Sequence, residues 1–149
     1  MTDALDVVAP VPGRVVALSD VPDPVFAQQL VGSGVAIDPE RSPGTAVAPV
    51  AGRLLKLHPH AFVVLTAGGQ GVLVHLGIDT VQLDGEGFEL VAAEGDEVAA
   101  GDPVVRWDPA AVEAGGRSPV VPVVVMDTPP DSVSSTAVGS AVDVGDPLF

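Results

Sequence analysis

The sequence predicts an all-β protein, an antiparallel β-sandwich or flattened barrel with only short helical pieces. Three observations carry this prediction: short Val- and Leu-rich runs, the Gly, Pro and Asp residues between them, and two motifs that each occur twice. The runs include RVVAL, FVVLT, VLVHL and PVVVM. Runs of this length, bounded by turn formers, are typical of strands packed in two layers. The 149 residues suffice for one such core, so we expect a single domain over 1–149.

The two repeated motifs indicate internal duplication. VVAPVPGRVVAL at 7–18 returns as AVAPVAGRLLKL at 46–57, and GDEVAAGDPVV at 95–105 returns as GSAVDVGDPLF at 139–149. Each copy reads as a strand, a glycine-containing turn and another strand. Two approximate copies do not make a solenoid, so we expect a pseudo-symmetric β domain built from related hairpins.

Helical periodicity is scarce. Brief helices are expected only around Pro24–Leu30 and Pro109–Ala114. The sequence shows no linker within 1–127. The one loop-like stretch is DTPPDSVSS at 127–135, which leads into a final strand.

The charge balance excludes several classes of partner. Twenty acidic residues against six basic ones give a formal charge of −14, which would repel nucleic acid and anionic membranes. A basic protein partner would instead be attracted, although acidity can also simply keep a Val-rich surface soluble. No apolar stretch has membrane-spanning length, no basic residue precedes Arg14 and no cysteine occurs. We therefore expect a cytoplasmic protein without disulfides.

All three histidines lie within KLHPHAFVVLTAGGQGVLVHLGID, residues 56–79. A two-residue turn at Gly68-Gly69 would place Phe62 opposite His75. His60 then lies on the same face as His75, diagonally, with the two Cα atoms roughly 7–8 Å apart. A register displaced by one residue would separate the two histidines onto opposite faces.

This register also predicts which side chains are buried. The core face of the hairpin is wholly apolar and consists of Ala61, Val63, Leu65, Val72, Val74 and Leu76. The histidines should point outward from a patch shared with Phe62, Val64 and Leu73.

A close imidazole pair suits three chemistries. The pair could bind a metal ion with further ligands, one ring could serve as general base, or one ring could itself carry a covalent group. The hydroxyls of Thr66 and Thr80 have no acid–base relay, so a hydrolase triad is not expected. No Gly-rich phosphate loop followed by Lys-Ser/Thr occurs, so the chain is not built to bind ATP.

The segment GVLVHLGIDTV at 71–81 resembles the glucose-class enzyme IIA domain (EIIA) of the bacterial phosphoenolpyruvate:sugar phosphotransferase system. The resemblance covers nearly the whole chain in family order. It extends through VVAPVPGRVVALSDVPDPVFAQQLVGSGVAI (7–37), VAPVAGRLLKLHPHAF (47–62), GEGFELVAAEGDEVAAGD (85–102) and VGSAVDVGDPLF (138–149).

The resemblance implies an antiparallel β-sandwich that relays phosphate without a required cofactor. The phosphoryl group would come from the phosphohistidine of the carrier HPr and go to a cysteine on the IIB domain of a sugar permease (IIBC). His75 would be phosphorylated on Nε2. His60 would hydrogen-bond the phosphoryl group and speed its onward transfer. A backbone carbonyl near Gly77 would hold the His75 tautomer.

Partner contacts are implied as well. Asp23 and Asp79 would meet arginines of the carrier, although both could equally be turn formers. An apolar docking rim would comprise Val25, Phe26, Val31, Leu73 and Val81. A zinc ion bridging His60 and His75 with a partner carboxylate is a further expectation for a regulatory complex.

The chain departs from the family pattern in one turn. His58 stands where the family commonly has a threonine that orients the partner histidine. His58 could replace it as a hydrogen-bond partner, or His60 could be held differently. Pro59 lacks an N–H and indicates an edge strand. Lys56 occupies a position where an aromatic docking residue can occur.

Three rival functions share some of these sequence features. A biotinyl- or lipoyl-type carrier requires a lysine at a tight turn, whereas Lys56 lies in a strand-like run. A zinc peptidase of the lysostaphin type matches HPH at 58–60 but lacks the upstream His and Asp ligands. The third rival, and the alternative to a relay, is a regulatory binding module in which phosphorylation acts only as a switch.

Overall fold

A computed structural model of the chain describes residues 5–149. The strands are β1 Gly13–Ala17, β2 Gly32–Pro39, β3 Gly44–Val47, β4 Gly52–His58, β5 Ala61–Leu65, β6 Gly71–His75, β7 Phe88–Leu90, β8 Glu97–Val98, β9 Pro103–Trp107, β10 Val121–Met126 and β11 Ala141–Val142. They form an eight-stranded sheet in the order β11-β1-β2-β10-β6-β5-β4-β8 and a three-stranded sheet in the order β3-β9-β7. The pairings of these strands are antiparallel, so the predicted fold class is confirmed. The predicted domain over 1–149 includes residues 1–4, which lie outside the described range.

The two α-helices begin in the same way. In α1 (Pro24–Ala27) and α2 (Pro109–Ala114), proline occupies the first turn and an aspartate precedes it as N-cap. The second helix has the predicted bounds, whereas the first is shorter than the predicted 24–30. It ends early because Gln29 adopts a φ of +58°, which no α-helix can accommodate. Within residues 5–149, no helix has the length and apolar character needed to cross a bilayer.

The first repeated motif forms equivalent strands. Gly13 and Gly52 begin β1 and β4, and a Cβ on either glycine would lie 2.2 Å from a carbonyl oxygen of the neighbouring strand. In neither copy does the first half pair with the second: Val8 forms an isolated bridge with Pro147, and Ala46 and Val47 end β3, which pairs with β9. The copies are therefore not the self-contained hairpins that the sequence suggested. Each strand instead pairs with a partner from another part of the chain, because the pseudo-symmetry relates halves of the sheet.

The second motif completes this symmetry. Its copies supply β8, which pairs with the start of β4, and β11, which pairs with the start of β1. The strand order β11-β1-β2-β10 is therefore mirrored by β8-β4-β5-β6, and the two halves meet where β10 pairs with β6. The predicted pseudo-symmetric domain is present in this form.

Two apolar clusters cover opposite faces of the eight-stranded sheet. The main core lies between the two sheets, with members such as Val15, Ile37, Phe62 and Trp107. A second cluster, here called the outer cluster, lies beneath α1 and consists of Leu18, Val21, Phe26, Ala36, Ile78, Val120 and Val124, with partly buried Val16, Val31 and Leu73. The Val-rich sequence of β10 follows from this arrangement, because Val121 and Val123 lie in the main core while Val124 lies in the outer cluster.

We expect Gly52→Ala to lower the free energy of unfolding by about 3 kcal/mol, because its Cβ would meet the carbonyl oxygen of Leu65 at 2.2 Å. Gly44→Ala, also in a strand, has no heavy atom within 4 Å of the added Cβ and should change stability by less than about 0.5 kcal/mol. Urea unfolding of both variants measures the difference. Equal stabilities would contradict the close backbone approach.

Candidate functional site

The register of the β5–β6 hairpin differs from the predicted one by a single residue. Ala61, not Phe62, lies opposite His75, and Leu65 lies opposite Gly71. The connection is a three-residue loop over 67–69, closed by Thr66 N–H donating to the Gln70 carbonyl at 2.9 Å. Gly69 takes a φ of +86°, as a type I turn followed by a left-handed residue requires. The predicted two-residue Gly68-Gly69 turn is therefore wrong.

The shifted register corrects the buried face of β5. Phe62 and Val64 face the main core rather than the site, whereas Ala61 and Val63 face away from it. For β6 the prediction is correct, because Val72, Val74 and Leu76 lie in the main core. Leu73 alone of the three predicted apolar neighbours lies on the face of His75, where it packs against the outer cluster.

The two imidazoles nevertheless meet. The ring centroids of His60 and His75 lie 5.2 Å apart, with the ring planes at 73°. Strand alternation would separate them under this register, but His60 lies outside both strands, in the turn at 59–60 between β4 and β5. The Leu76 N–H donates to the His60 carbonyl at 2.7 Å. This bond holds the turn beside the end of β6, so the predicted pair forms by a route that the sequence did not reveal.

One hydrogen bond orients the ring of His75. Its Nδ1 lies 2.5 Å from the Gly77 carbonyl oxygen. A carbonyl can only accept, so the proton of the neutral ring resides on Nδ1 and the lone pair of Nε2 is free. The predicted role of the Gly77 carbonyl agrees with this geometry.

The segment after His75 is built to present that carbonyl. Gly77 has a φ of +85°, and a Cβ there would lie 2.7 Å from Cγ2 of Thr80. The buried hydroxyl of Thr80 donates to the Leu76 carbonyl at 2.8 Å, and Ile78 N–H donates to the Ser118 carbonyl at 2.8 Å. Thr80 thus has a structural role that sequence reasoning, which considered it only as a nucleophile, did not assign.

Burial governs the protonation state of His75. The Phe26 ring packs on it with centroids 5.2 Å apart, and the outer cluster lies below. Desolvation lowers the pKa of His75, while the Gly77 hydrogen bond and the charges of Asp23 and Asp79 raise it by less. The ring is therefore neutral at physiological pH, the form in which Nε2 is nucleophilic.

The pKa of His60 is also lowered. Desolvation is the largest cause, followed by repulsion from His75 and then from His58. The rings of His58 and His60 are stacked, with centroids 5.9 Å apart and planes at 25°. The sequence left open whether His58 contacts His60 through a hydrogen bond. Within residues 5–149 the contact is a stack, since no ring nitrogen of either histidine has a hydrogen-bond partner there.

The structure brings both predicted aspartates to the site. Asp23 caps α1 by accepting from Val25 N–H at 2.9 Å, and Asp79 precedes a short 3-10 helix with a φ of +60°. Both carboxylates act on the pKa of His75. Both aspartates therefore form turns and are also charged neighbours of His75. The turn-forming role predicted from the sequence is thus compatible with the predicted partner-binding role.

The residues predicted to form the docking rim differ in exposure. Val25 is 43% exposed and Val81 is 59% exposed, while Phe26 is only 6% exposed and contributes mainly by packing on His75. Val31 and Leu73 are partly buried members of the outer cluster. Sequence reasoning missed Leu30, the most exposed large apolar side chain among the described residues at 68%. Its position after the shortened α1 gives it this exposure.

The geometry also bears on the rival functions. Lys56 lies inside β4 rather than at a turn, so a swinging-arm lysine has no support. The rings of His58 and His60 lie near-parallel and offset, with centroids 5.9 Å apart. The described part of the chain has no cluster of three or more His, Cys, Asp or Glu side chains suited to a metal ion. A zinc ion at His60 and His75 would need its remaining ligands from a partner.

Comparison with known proteins places these features in one family. A family model described as phosphoenolpyruvate-dependent sugar phosphotransferase system, EIIA 1, matches residues 5–130. A glucose-specific EIIA component from Staphylococcus aureus is 43% identical over 122 residues, which cover 80% of this chain and 72% of that protein. The glucose-specific EIIA component of Bacillus cereus is 38% identical over 146 residues, covering 97% and 87% of the two chains.

A solved structure agrees with the fold. The glucose permease IIA from Mycoplasma capricolum superposes with a TM-score of 0.85 at 34% identity, covering 99% of this chain and 95% of that one. The match includes both sheets and the segments that carry the histidines, since nearly the full length is covered.

We expect His75 to titrate below its ordinary pKa of 6.5, because burial outweighs the favourable charges around it. Near that pH the folded state then binds fewer protons than the unfolded chain, so the free energy of unfolding should fall as the pH drops through about 6.5. His75→Gln should show a smaller fall. Imidazole NMR titration and urea unfolding between about pH 7.5 and 5.5 measure both effects. An upward shift of the His75 pKa would contradict the assignment.

Proposed function

Because the chain belongs to the EIIA 1 family of the phosphoenolpyruvate-dependent sugar phosphotransferase system, we propose that His75 relays phosphate from HPr to the IIB domain of a sugar permease. The chain is thus a phosphotransferase component. The observation that carries the proposal is the 2.5 Å contact between Nδ1 of His75 and the Gly77 carbonyl. It fixes a neutral tautomer with a free lone pair on Nε2, as an attacking nitrogen requires.

The acceptance step moves one phosphoryl group between two imidazoles. The Nε2 lone pair of His75 attacks the phosphorus of the HPr phosphohistidine. The P–N bond to HPr breaks, and its electron pair returns to the carrier's ring. Such a transfer depends on in-line placement and charge neutralisation. The fixed ring orientation of His75 supplies the first requirement.

Charge neutralisation is the harder requirement on this protein. A phosphoryl group brings nearly two negative charges at neutral pH to a chain of formal charge −14, beside Asp23 and Asp79. His60 is the imidazole in contact with His75 and can donate a ring N–H to a phosphoryl oxygen. Arginines of the bound partner would supply the rest.

In the delivery step, the phosphoryl group leaves His75 for the IIB domain. A thiolate of the IIB domain attacks the phosphorus from the side opposite Nε2, the P–Nε2 bond breaks and its electron pair returns to Nε2. The hydrogen bond on Nδ1 persists through the cycle, because the proton there is not transferred. The apolar surround of Phe26 and Leu73 limits water access to the phosphoramidate.

The same face suits protein docking. The exposed Val25 and Val81 adjoin elements that contact His75, through Phe26 and Asp79, and offer apolar surface there. The carboxylates of Asp23 and Asp79 offer sites for partner arginines. Basic partners would be steered toward a chain of this charge. A phosphate supply from phosphoenolpyruvate through HPr implies that the protein acts in the cytoplasm. Zinc bound between His60 and His75 stays a proposal for a regulatory complex only.

We predict that incubation with phosphoenolpyruvate, enzyme I and HPr yields one acid-labile, base-stable phosphate on the wild-type chain. His75→Ala should abolish labelling, because Nε2 of His75 is the acceptor. His60→Ala should still be labelled but should deliver to a IIB domain about 100-fold more slowly, as loss of a transition-state hydrogen-bond donor implies. Radiolabel transfer and mass spectrometry give both readouts.

His58 serves as the matched histidine control, since its removal should leave labelling of His75 intact. Full labelling of His75→Ala would overturn the site assignment. Labelling without any discharge to IIB would favour the regulatory binding module over the relay.

We expect Asp23→Asn and Asp79→Asn to weaken acceptance from HPr, because each removes a charge while preserving local structure. Asparagine caps helices as aspartate does and tolerates the left-handed conformation of residue 79. The apparent KM for phospho-HPr should rise about threefold to tenfold in each, with a weaker salt dependence. Steady-state transfer at several ionic strengths measures this. Asp143→Asn is the control, since Asp143 lies in the turn after β11, an edge strand that three other strands separate from β6. An unchanged KM would contradict a binding role.

A further inference from the structure

The backbone of His60 is held firmly, but the backbone alone does not set the plane of its ring. The Leu76 N–H binds the His60 carbonyl, and the adjacent Pro59 approaches Gly85, where a Cβ would lie 3.2 Å from the proline Cγ. These contacts place the turn. In the part of the chain that the structure describes, no hydrogen bond engages a ring nitrogen of His60, and its ring instead contacts the rings of His58 and His75.

The ring of His58 is one of these neighbours, and a β-bulge delivers it. The pairing of β4 with β5 shifts between Leu54 and Lys56, which inserts Leu55 as an extra residue. Leu54 is buried in the main core. If β4 had no bulge, strand alternation would turn its other even-numbered residues, including His58, toward the main core as well. After the bulge Leu57 packs against the core instead, so His58 emerges on the face of the site.

The three imidazoles consequently form a row. His60 lies between His75, whose ring plane is at 73° to its own, and His58, whose plane is at 25°. A near-parallel ring restricts rotation of its neighbour, and aromatic pairs of this kind contribute about 0.5–1.5 kcal/mol. His58 is exposed, so it can stack on His60 without closing access to His75.

We propose that His58 is a positioning residue, which holds the ring of His60 by stacking so that its N–H is aimed at the phosphoryl group on His75. The inference rests on the proposed function and names the residue that orients the His60 ring. The stack, rather than a hydrogen bond, sets the direction of the His60 donor. His58 touches neither the reacting phosphorus nor His75 and acts only through His60.

The test separates the aromatic surface of residue 58 from its polar chemistry. His58→Ala and His58→Gln should each discharge pre-phosphorylated His75 to a IIB domain up to about tenfold more slowly, as loss of such a ring pair allows. His58→Phe should restore discharge to within about twofold of wild type. Stoichiometric labelling of His75 should be unaffected in all three. Arg53→Ala, an exposed site on β4 before the bulge, is the surface control.

A double-mutant cycle distinguishes positioning from a general structural role. In a His60→Ala background, His58→Ala should cause no further loss of discharge rate, because residue 58 acts through the missing ring. An additive loss would overturn the proposal, as would equal rates for His58→Phe and His58→Ala, or a wild-type rate for His58→Ala.

NMR provides a readout that does not depend on transfer. The ring protons of His60 should lose the ring-current contribution of His58 in His58→Ala and regain a contribution of this kind in His58→Phe, while that of His75 and the His75 Nδ1–H signal stay in place. Unchanged chemical shifts of the His60 ring protons in His58→Ala would contradict the stacking contact itself. Failure of the relay function would appear separately, as absent labelling of His75 in the wild-type chain.

Discussion

The site depends on the hydrogen bond between Nδ1 of His75 and the Gly77 carbonyl, because this contact decides which nitrogen can react. Without it, either nitrogen of a neutral imidazole could carry the proton. The acceptor belongs to the backbone two residues further on, and the turn that aims it requires a left-handed glycine at 77. The buried Thr80 hydroxyl and the Ser118 carbonyl then lock that turn. The side chain proposed to accept the phosphoryl group is thus oriented by main chain rather than by a second side chain.

The surroundings of His75 reconcile two opposing needs. Burial against Phe26 lowers the pKa and keeps the ring neutral, yet a fully buried site would poorly tolerate the charge of the phosphoryl group that we propose His75 accepts. The structure places His75 at the end of β6, above the outer cluster and beside the partly exposed His60. One side of the ring is therefore desolvated, while the other remains within reach of donors from His60 and from a docking partner.

The duplicated scaffold and the site use different parts of the chain. Repeated motifs build the paired halves of the large sheet and leave close backbone approaches at Gly13 and Gly52. The residues around His75 come from the connections, namely α1, the turn at 59–60 and the segment after β6. Connections tolerate change because they carry few ladder hydrogen bonds. This division explains how a symmetric framework can hold a single asymmetric site.

The sequence by itself determined the fold class, the second helix, the duplication and the identity of the histidine pair, because these follow from periodicity, turn residues and motif resemblance. The tertiary structure decided the hairpin register and the buried face of β5. A three-residue loop closed by Thr66 and Gly69 competes closely with the predicted Gly-Gly turn, and local sequence cannot rank the two. It also decided how His60 reaches His75 and how the Leu55 bulge turns His58 toward the site. Both depend on hydrogen bonds and packing between residues distant in sequence, such as Leu76 with His60 and Leu57 with the main core.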